Sequence, residues 1–179
     1  ALACVALEIN AHPAADLIYS DEDKIDENGD RYDHYFKPDW NPDLFNVQNY
    51  ISHLGVYRTL LVREVGGFRV GYEGSQDWDL AMRVIERTAP ERIRHIPKIL
   101  YHWRSVPGST AMLIGAKSYA TQAAEKVIIE HFARTGVKAT ISPTKGSYWR
   151  VHYPVPAAAP RVTLIIPTRN RLNVLQPCI

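Results

Sequence analysis

The chain alternates short apolar runs with longer amphipathic ones. Residues 1–12 set Leu2, Val5, Ala6 and Ile9 at helical spacing, and Pro13 stops that helix. The run Ala15-Asp16-Leu17-Ile18-Tyr19-Ser20 has the length and flanks of a buried strand, and it ends in Ser20-Asp21-Glu22-Asp23. Within 25–35 the turn signal Glu27-Asn28-Gly29-Asp30 predicts a hairpin. Residues 36–43 hold two prolines and read as loop, with Asn41 as a helix N-cap and Pro42 at the first helical position.

Residues 51–58 are strand-like. Thr59–Val65 fits a short helix closed by Gly66-Gly67. A glycine-bearing loop, 68–76, leads to an amphipathic helix over 77–88. There Leu80, Met82, Val84 and Ile85 form the apolar side, and Asp79 and Arg83 make an i,i+4 pair. Residues 93–103 predict a strand whose Pro97 points to an edge or a bulge, and 106–110 a turn. The longest helix is expected over 115–134, with Gly136 as its stop. Two short strands around Lys145-Gly146 follow it. Pro154-Val-Pro-Ala-Ala-Ala-Pro160 reads as a stiff linker, and Val162–Ile166 as a new buried strand running into Pro167-Thr168-Arg169-Asn170. Alternating strands and helices predict an α/β fold with a parallel or mixed sheet and flanking helices.

Composition narrows this picture. The 179 residues are 46% hydrophobic and 22% charged, which suits one globular domain with part of a second and excludes disorder. Twenty-one basic against 19 acidic residues leave no basic stripe, so nucleic acid is not expected as a partner. Cys4 and Cys178 stand near opposite ends and suggest neither a disulfide scaffold nor a zinc site. No apolar run approaches the roughly 20 residues that span a bilayer, and Ala1–Ala11 lacks a basic leader. The chain opens without methionine inside a helical pattern and closes inside another element, as expected of a piece of a longer chain.

Three motifs could carry chemistry. Asp21 and Asp23, where an apolar strand ends, suit a divalent cation and a diphosphate, because ligands of open α/β sheets bind beyond the carboxyl ends of strands. The bland alternative is a solvated acidic turn; an EF-hand fits poorly, with Ile25 at a ligand position. Gly74-Ser75-Gln76-Asp77-Trp78 delivers Asp77 to a helix start, where the dipole favours an anion and a carboxylate can serve as general base. A plain N-cap aspartate is the alternative there. In Tyr101-His102-Trp103-Arg104, His102 could ligate a metal and Arg104 could pair with phosphate, against a merely structural histidine. Trp40, Trp78 and Trp103 lie beside these motifs and could stack on sugar faces or pack in the core.

Taken in order, the motifs from Asp16 to Tyr153 resemble the second half of a family 2 glycosyltransferase of GT-A fold, in particular bacterial chains with tandem glycosyltransferase modules. The residues that carry the resemblance are Leu17-Ile-Tyr-Ser-Asp21-Glu-Asp23-Lys24 and Phe36-Lys-Pro-Asp-Trp-Asn-Pro-Asp-Leu44. Glu64-Val-Gly-Gly-Phe-Arg69, Glu73-Gly-Ser-Gln-Asp77-Trp-Asp-Leu80 and Tyr101-His-Trp-Arg104 with Gly108-Ser-Thr110 complete them. The resemblance implies that Asp21 and Asp23 bind a divalent metal (Mg²⁺ or Mn²⁺) and the nucleotide-diphosphate sugar that serves as donor. It puts the catalytic base at Asp77, a further metal ligand near His102, a donor contact at Arg104, and Gln76, Trp78 and Trp103 on the acceptor side. The reaction would be an inverting, metal-dependent sugar transfer to a glycan or other hydroxyl acceptor in bacterial surface polysaccharide assembly. The location would be cytoplasmic, compatible with peripheral association at the inner face of the plasma membrane.

The resemblance also divides the chain. Residues 1–153 would be the metal- and acceptor-side part of one module, 154–160 a linker, and 161–179 the opening of a second module with a Pro-Thr-Arg-Asn signature. The nucleotide-binding half, which should precede Asp21 by about 100 residues, is not present, so the chain alone is expected to be inactive or nearly so. The sheet edge left without that half is expected to recruit residues 162–166, within the chain or from a second copy. A noncatalytic carbohydrate- or partner-binding module that keeps the fold is the alternative. A metal-dependent phosphate hydrolase is a third reading, for which the chain shows no second metal cluster or nucleophile motif.

Overall fold

The computed structural model describes residues 1–105, 118–144 and 148–178. Its centre is strand β1 (Leu17–Ile25), which every other strand of the main sheet touches. On one side β1 pairs in parallel along its whole length with β4 (Ile93–Arg104). On the other side its first half pairs antiparallel with β3 (Gly55–Tyr57) and its second half with β2 (Arg31–Tyr35). The result is a four-strand mixed sheet with flanking helices.

The period-2 alternation of β1 decides what covers each face. Leu17 and Tyr19 enter the larger core with Phe45, Tyr50, Met82, Val127 and Ile128, beneath helices α4 (Gln76–Ile85) and α5 (Ser118–Thr135). Ile18 enters a smaller core with Val5 and Ile96, beneath α1 (Leu2–Ala11). Two short helices, α2 (Pro42–Phe45) and α3 (Thr59–Glu64), complete the first cover; Asn41 caps α2 by accepting the Leu44 N–H at 2.9 Å. The hairpin of β5 (Thr140–Pro143) and β6 (Trp149–His152) is tied to the body by the Trp149 N–H on the Val47 carbonyl at 3.1 Å.

Several expectations need correction. The apolar run 15–20 does not end at the acidic triplet: β1 continues through Asp21-Glu22-Asp23 to Ile25, because β2 and β4 supply partners on both sides there. The register with β4 slips twice, between Ser20 and Asp21 and between Asp21 and Glu22, where Pro97 and its neighbours bulge. The strand expected over 51–58 shrinks to three residues. Asp79 and Arg83 make more than a surface pair: Asp79 is wholly buried and is bound by both Arg83 and Arg69.

The strand expected at 162–166 does not form. Val162, Leu164 and Ile165 are 73–89% exposed and meet no sheet edge within the chain, and an apolar strand without a pairing partner has nothing to order it. Residues 172–175 form a short helix, α6 (Leu172–Leu175). The turn expected at 106–110, the first residues of the helix expected from 115, and the Lys145-Gly146 turn lie outside the described residues. Among the described residues no helix is long and apolar enough to cross a membrane.

Candidate active site

The acidic triplet sits in the middle of the sheet, and its three side chains have different partners. The Asp23 carboxylate is buried and takes His102 Nδ1 at 2.5 Å on one oxygen and Arg31 Nε at 2.6 Å on the other. His102 reaches it because the parallel ladder sets Asp23 opposite His102, and Arg31 because the β1–β2 hairpin sets it opposite Ile25, two residues along β1 on the same face. His34 Nε2 stands 4.0 Å away. Burial works to raise the Asp23 carboxyl, but the hydrogen bonds and charges of His102 and Arg31 outweigh it and hold the pKa below the ordinary aspartate value.

Asp21 is turned to other partners. Its Oδ1 accepts the Lys37 backbone N–H at 2.9 Å and lies 2.8 Å from His95 Nε2, while His95 Nδ1 meets Asp39 at 3.1 Å. The His95 ring stacks on Tyr19, centroids 4.8 Å apart. Glu22 meets His53 Nδ1 at 3.0 Å and Lys37 Nζ at 3.8 Å. The Lys37 ammonium is buried and donates to the carbonyls of Ile51, at 2.7 Å, and His53. Burial pushes its pKa down to about 8, against the opposing pull of Glu22 and Asp21.

Asp77 lies in the first turn of α4, half-buried. Ser75 holds the cap position, so the plain N-cap account of Asp77 does not apply. Its carboxylate instead accepts Asn49 Nδ2 at 2.9 Å. It lines an open cleft of about 240 Å³ with Ser52, His53, Tyr57, Phe68, Leu80 and Tyr101. Burial, reinforced by the Asp77 charge, pushes the Tyr57 phenol well above its ordinary value. Tyr101 immediately precedes His102, so strand alternation turns the cleft, which Tyr101 lines, and the Asp23–His102 pair to opposite faces of β4.

The other expected site residues are dispersed. Trp78 is buried, gives its indole N–H to the Phe45 carbonyl at 3.2 Å and packs edge-on against Phe45. That places it in the core and corrects its acceptor-side assignment. Trp40 also packs on Phe45 and Tyr50. Gln76 is exposed and accepts the Gly74 N–H at 2.7 Å. Trp103 is half-buried beside the His53 ring, centroids 5.2 Å apart. Arg104 is exposed at the end of β4, its guanidinium 3.5 Å from the Asp26 carbonyl.

Arg31, Asn49, His53 and His95 bond to Asp23, Asp77, Glu22 and Asp21, and the sequence does not predict these partners. Only Arg31 left a signal, through the hairpin turn at 27–30 that folds it back on β1; the others arrive by tertiary contacts across 28 to 74 residues.

Mg²⁺ usually takes one or two carboxylates and completes its shell with water and substrate phosphate. Asp23 and His102 do not offer such a site as they are paired, since the wholly buried carboxylate has one oxygen on His102 Nδ1 and the other on Arg31 Nε. Asp21 is likewise engaged, its Oδ1 shared by an N–H and an imidazole. Among the described residues no three His, Cys, Asp or Glu side chains are grouped to enclose a metal on their own.

No family model matches the chain. It is 50% identical over 182 residues to the uncharacterized protein y4gI of Sinorhizobium fredii (strain NBRC 101917 / NGR234) and 38% identical over 179 residues to the O-antigen biosynthesis protein RfbC of Myxococcus xanthus. Both alignments cover 100% of this chain, which spans 20% and 14% of the two relatives.

Proposed function

We propose that this chain carries the carboxylate and acceptor side of an inverting glycosyltransferase that acts in bacterial surface polysaccharide assembly. The observation that carries the reading is the placement of Asp77, its carboxylate held by Asn49, in an aromatic cleft with Tyr57, Phe68 and Tyr101. The similarity of this chain to 14% of the length of an O-antigen biosynthesis protein supports the biological setting.

Asp77 acts as general base. As the acceptor oxygen bonds to the anomeric carbon, its proton passes to the Asp77 carboxylate and the bond from that carbon to the diphosphate oxygen breaks. The configuration inverts, and the nucleoside diphosphate leaves with the bonding electrons. Asn49 holds one carboxylate oxygen and so fixes the orientation of the base. A divalent cation, Mg²⁺ or Mn²⁺, would compensate the diphosphate charge when bound, and Asp23 and His102 would hold it only after giving up their contact with each other and with Arg31. Arg104, exposed at the end of β4, is available to the donor. Asp21 anchors His95 and the Lys37 backbone and thereby holds the β1–β4 frame.

The test is sugar transfer by the native protein from a panel of nucleotide sugars, with Mg²⁺ or Mn²⁺ and after chelation. Metal-dependent release of nucleoside diphosphate that Asp77→Asn abolishes is the expected result. Glycan binding that survives Asp77→Asn, without turnover by either form, would favour the noncatalytic module instead.

A further inference from the structure

Glu22 and His53 serve neither as the general base nor in the Asp23–His102 pair, yet they are set with care. Glu22 is a buried carboxylate on β1 whose Oε2 lies 3.0 Å from His53 Nδ1. An ionised carboxylate only accepts, so Nδ1 carries the proton, and in the Nδ1–H tautomer Nε2 is an acceptor. The ring cannot swing freely. It stacks on Tyr101 with centroids 4.7 Å apart and planes 13° from parallel, and Trp103 stands against it at 5.2 Å. The backbone carbonyl of His53 is gripped by the buried Lys37 ammonium. The imidazole remains one-third exposed and lines the same cleft as Asp77.

The cleft selects a chemical class. Its volume of about 240 Å³ lies below the roughly 300–1,000 Å³ of drug-sized ligand sites, so it suits a single ring and not a nucleotide. Tyr57, Phe68 and Tyr101 offer apolar faces for C–H groups. The Asp77 carboxylate and His53 Nε2 both accept hydrogen bonds. A ligand in contact with both must bring donors, and a phosphate or carboxylate would set acceptor against acceptor. A neutral sugar ring with two free hydroxyls meets every condition.

We propose that His53, fixed in orientation and tautomer by Glu22, is the acceptor-binding residue of this site. It accepts a hydrogen bond from a second hydroxyl of the sugar whose reacting hydroxyl faces Asp77. The proposal rests on the glycosyltransferase reading of Asp77.

Two measurements test it separately from that reading. In ¹⁵N-edited NMR of the native protein, His53 should show the Nδ1–H tautomer. Its Nε2 resonance should move on titration with at least one of a panel of neutral methyl hexopyranosides and stay still with inorganic phosphate. His53→Gln, checked by thermal melting for an intact fold, should weaken that glycoside about tenfold, the loss of one hydrogen bond. A monodeoxy form of the glycoside should bind wild type and His53→Gln equally. The opposite tautomer, a response to phosphate, or unchanged glycoside affinity in His53→Gln would overturn the assignment. So would silence across the whole glycoside panel. If Asp77→Asn abolishes sugar transfer while any of these results holds, the His53 assignment fails alone; if Asp77→Asn leaves transfer intact, the underlying reading fails.

Discussion

Replacing Asp79 by asparagine should destabilise the protein by about 3 kcal/mol, within the range for breaking a buried ion pair by removing one partner. The carboxylate is wholly buried and accepts four guanidinium hydrogen bonds. Arg83 gives Nε at 3.0 Å and Nη2 at 2.6 Å, and Arg69 gives Nε at 3.1 Å and Nη2. Asparagine keeps one accepting oxygen and sets an amide N–H group against the other guanidinium contacts. The two arginines differ in their escape. The Arg69 side chain is 34% exposed and also reaches Glu130 at 2.9 Å, so it can turn to solvent. The Arg83 side chain is 8% exposed, and its remaining N–H groups already bind the Val65 and Gly67 carbonyls at the end of α3.

The loss of Asp79 therefore leaves a charge in the core that links α3, α4 and α5. A deficit of that size lowers Tm by about 6–12 °C in a chain of this length. Urea unfolding followed by the buried Trp78 and Trp149 measures it. The sign with pH is fixed. Burial raises the Asp79 carboxyl, but the hydrogen bonds and charges of Arg69 and Arg83 lower it further, to below its ordinary 3.8. Its stabilisation is thus complete above about pH 4 and fades as pH falls through the depressed value, so the gap between wild type and Asp79→Asn closes in acid. Arg69→Ala should cost less than Asp79→Asn. A deficit below about 1 kcal/mol at pH 7, or one equal to that of Arg69→Ala, would refute the account of this network.

Other outcomes follow from the same structure. Lys37 has a pKa near 8 in the fold against an ordinary 10.5, so between those values the unfolded chain binds more protons and this group makes stability rise with pH; the urea midpoint of wild type relative to Lys37→Met should climb from pH 8 to 9.5, and a flat difference would contradict it. Gly74→Ala should cost about 2–4 kcal/mol, because φ is +85° and a Cβ would sit 2.7 Å from the Ala120 Cβ. Gly66→Ala, at φ +84° with open space around it, should cost clearly less in the same denaturation assay. Sedimentation velocity should show concentration-dependent association that Ile165→Lys reduces without moving Tm, since Ile165 is exposed in an apolar run and touches no sheet; equal sedimentation of the two forms would count against association through that segment.

The local features of this fold were legible in the residues themselves. Asn41-Pro42 announces a capped helix, Gly29 a hairpin turn and Pro97 a bulge, because each acts through its own backbone. The amphipathic pattern of α4 and the glycine-flanked approach to Asp77 were equally local. What lay hidden depends on partners distant in sequence. Asp21, Glu22 and Asp23 form one polar triplet in sequence, and only tertiary contacts assign them to His95, His53 and His102. Asp79 looks like an ordinary surface charge until Arg69 and Arg83 close over it. Residues 162–166 carry a strand pattern and form no strand, since pattern does not supply an edge to pair with. Trp78 shows the same limit from the other side: its neighbour Asp77 faces the cleft while the indole turns into the core.

The central claim is that Asp77 deprotonates a sugar hydroxyl during transfer. Its most direct measurement is nucleoside diphosphate release by the native protein and its Asp77→Asn variant, with donor and acceptor sugars present and the fold of each verified by melting. The account predicts a fall in turnover of about 10²–10⁴-fold with donor affinity unchanged, the size expected for loss of a general base. Turnover within a few-fold of wild type in Asp77→Asn would contradict it.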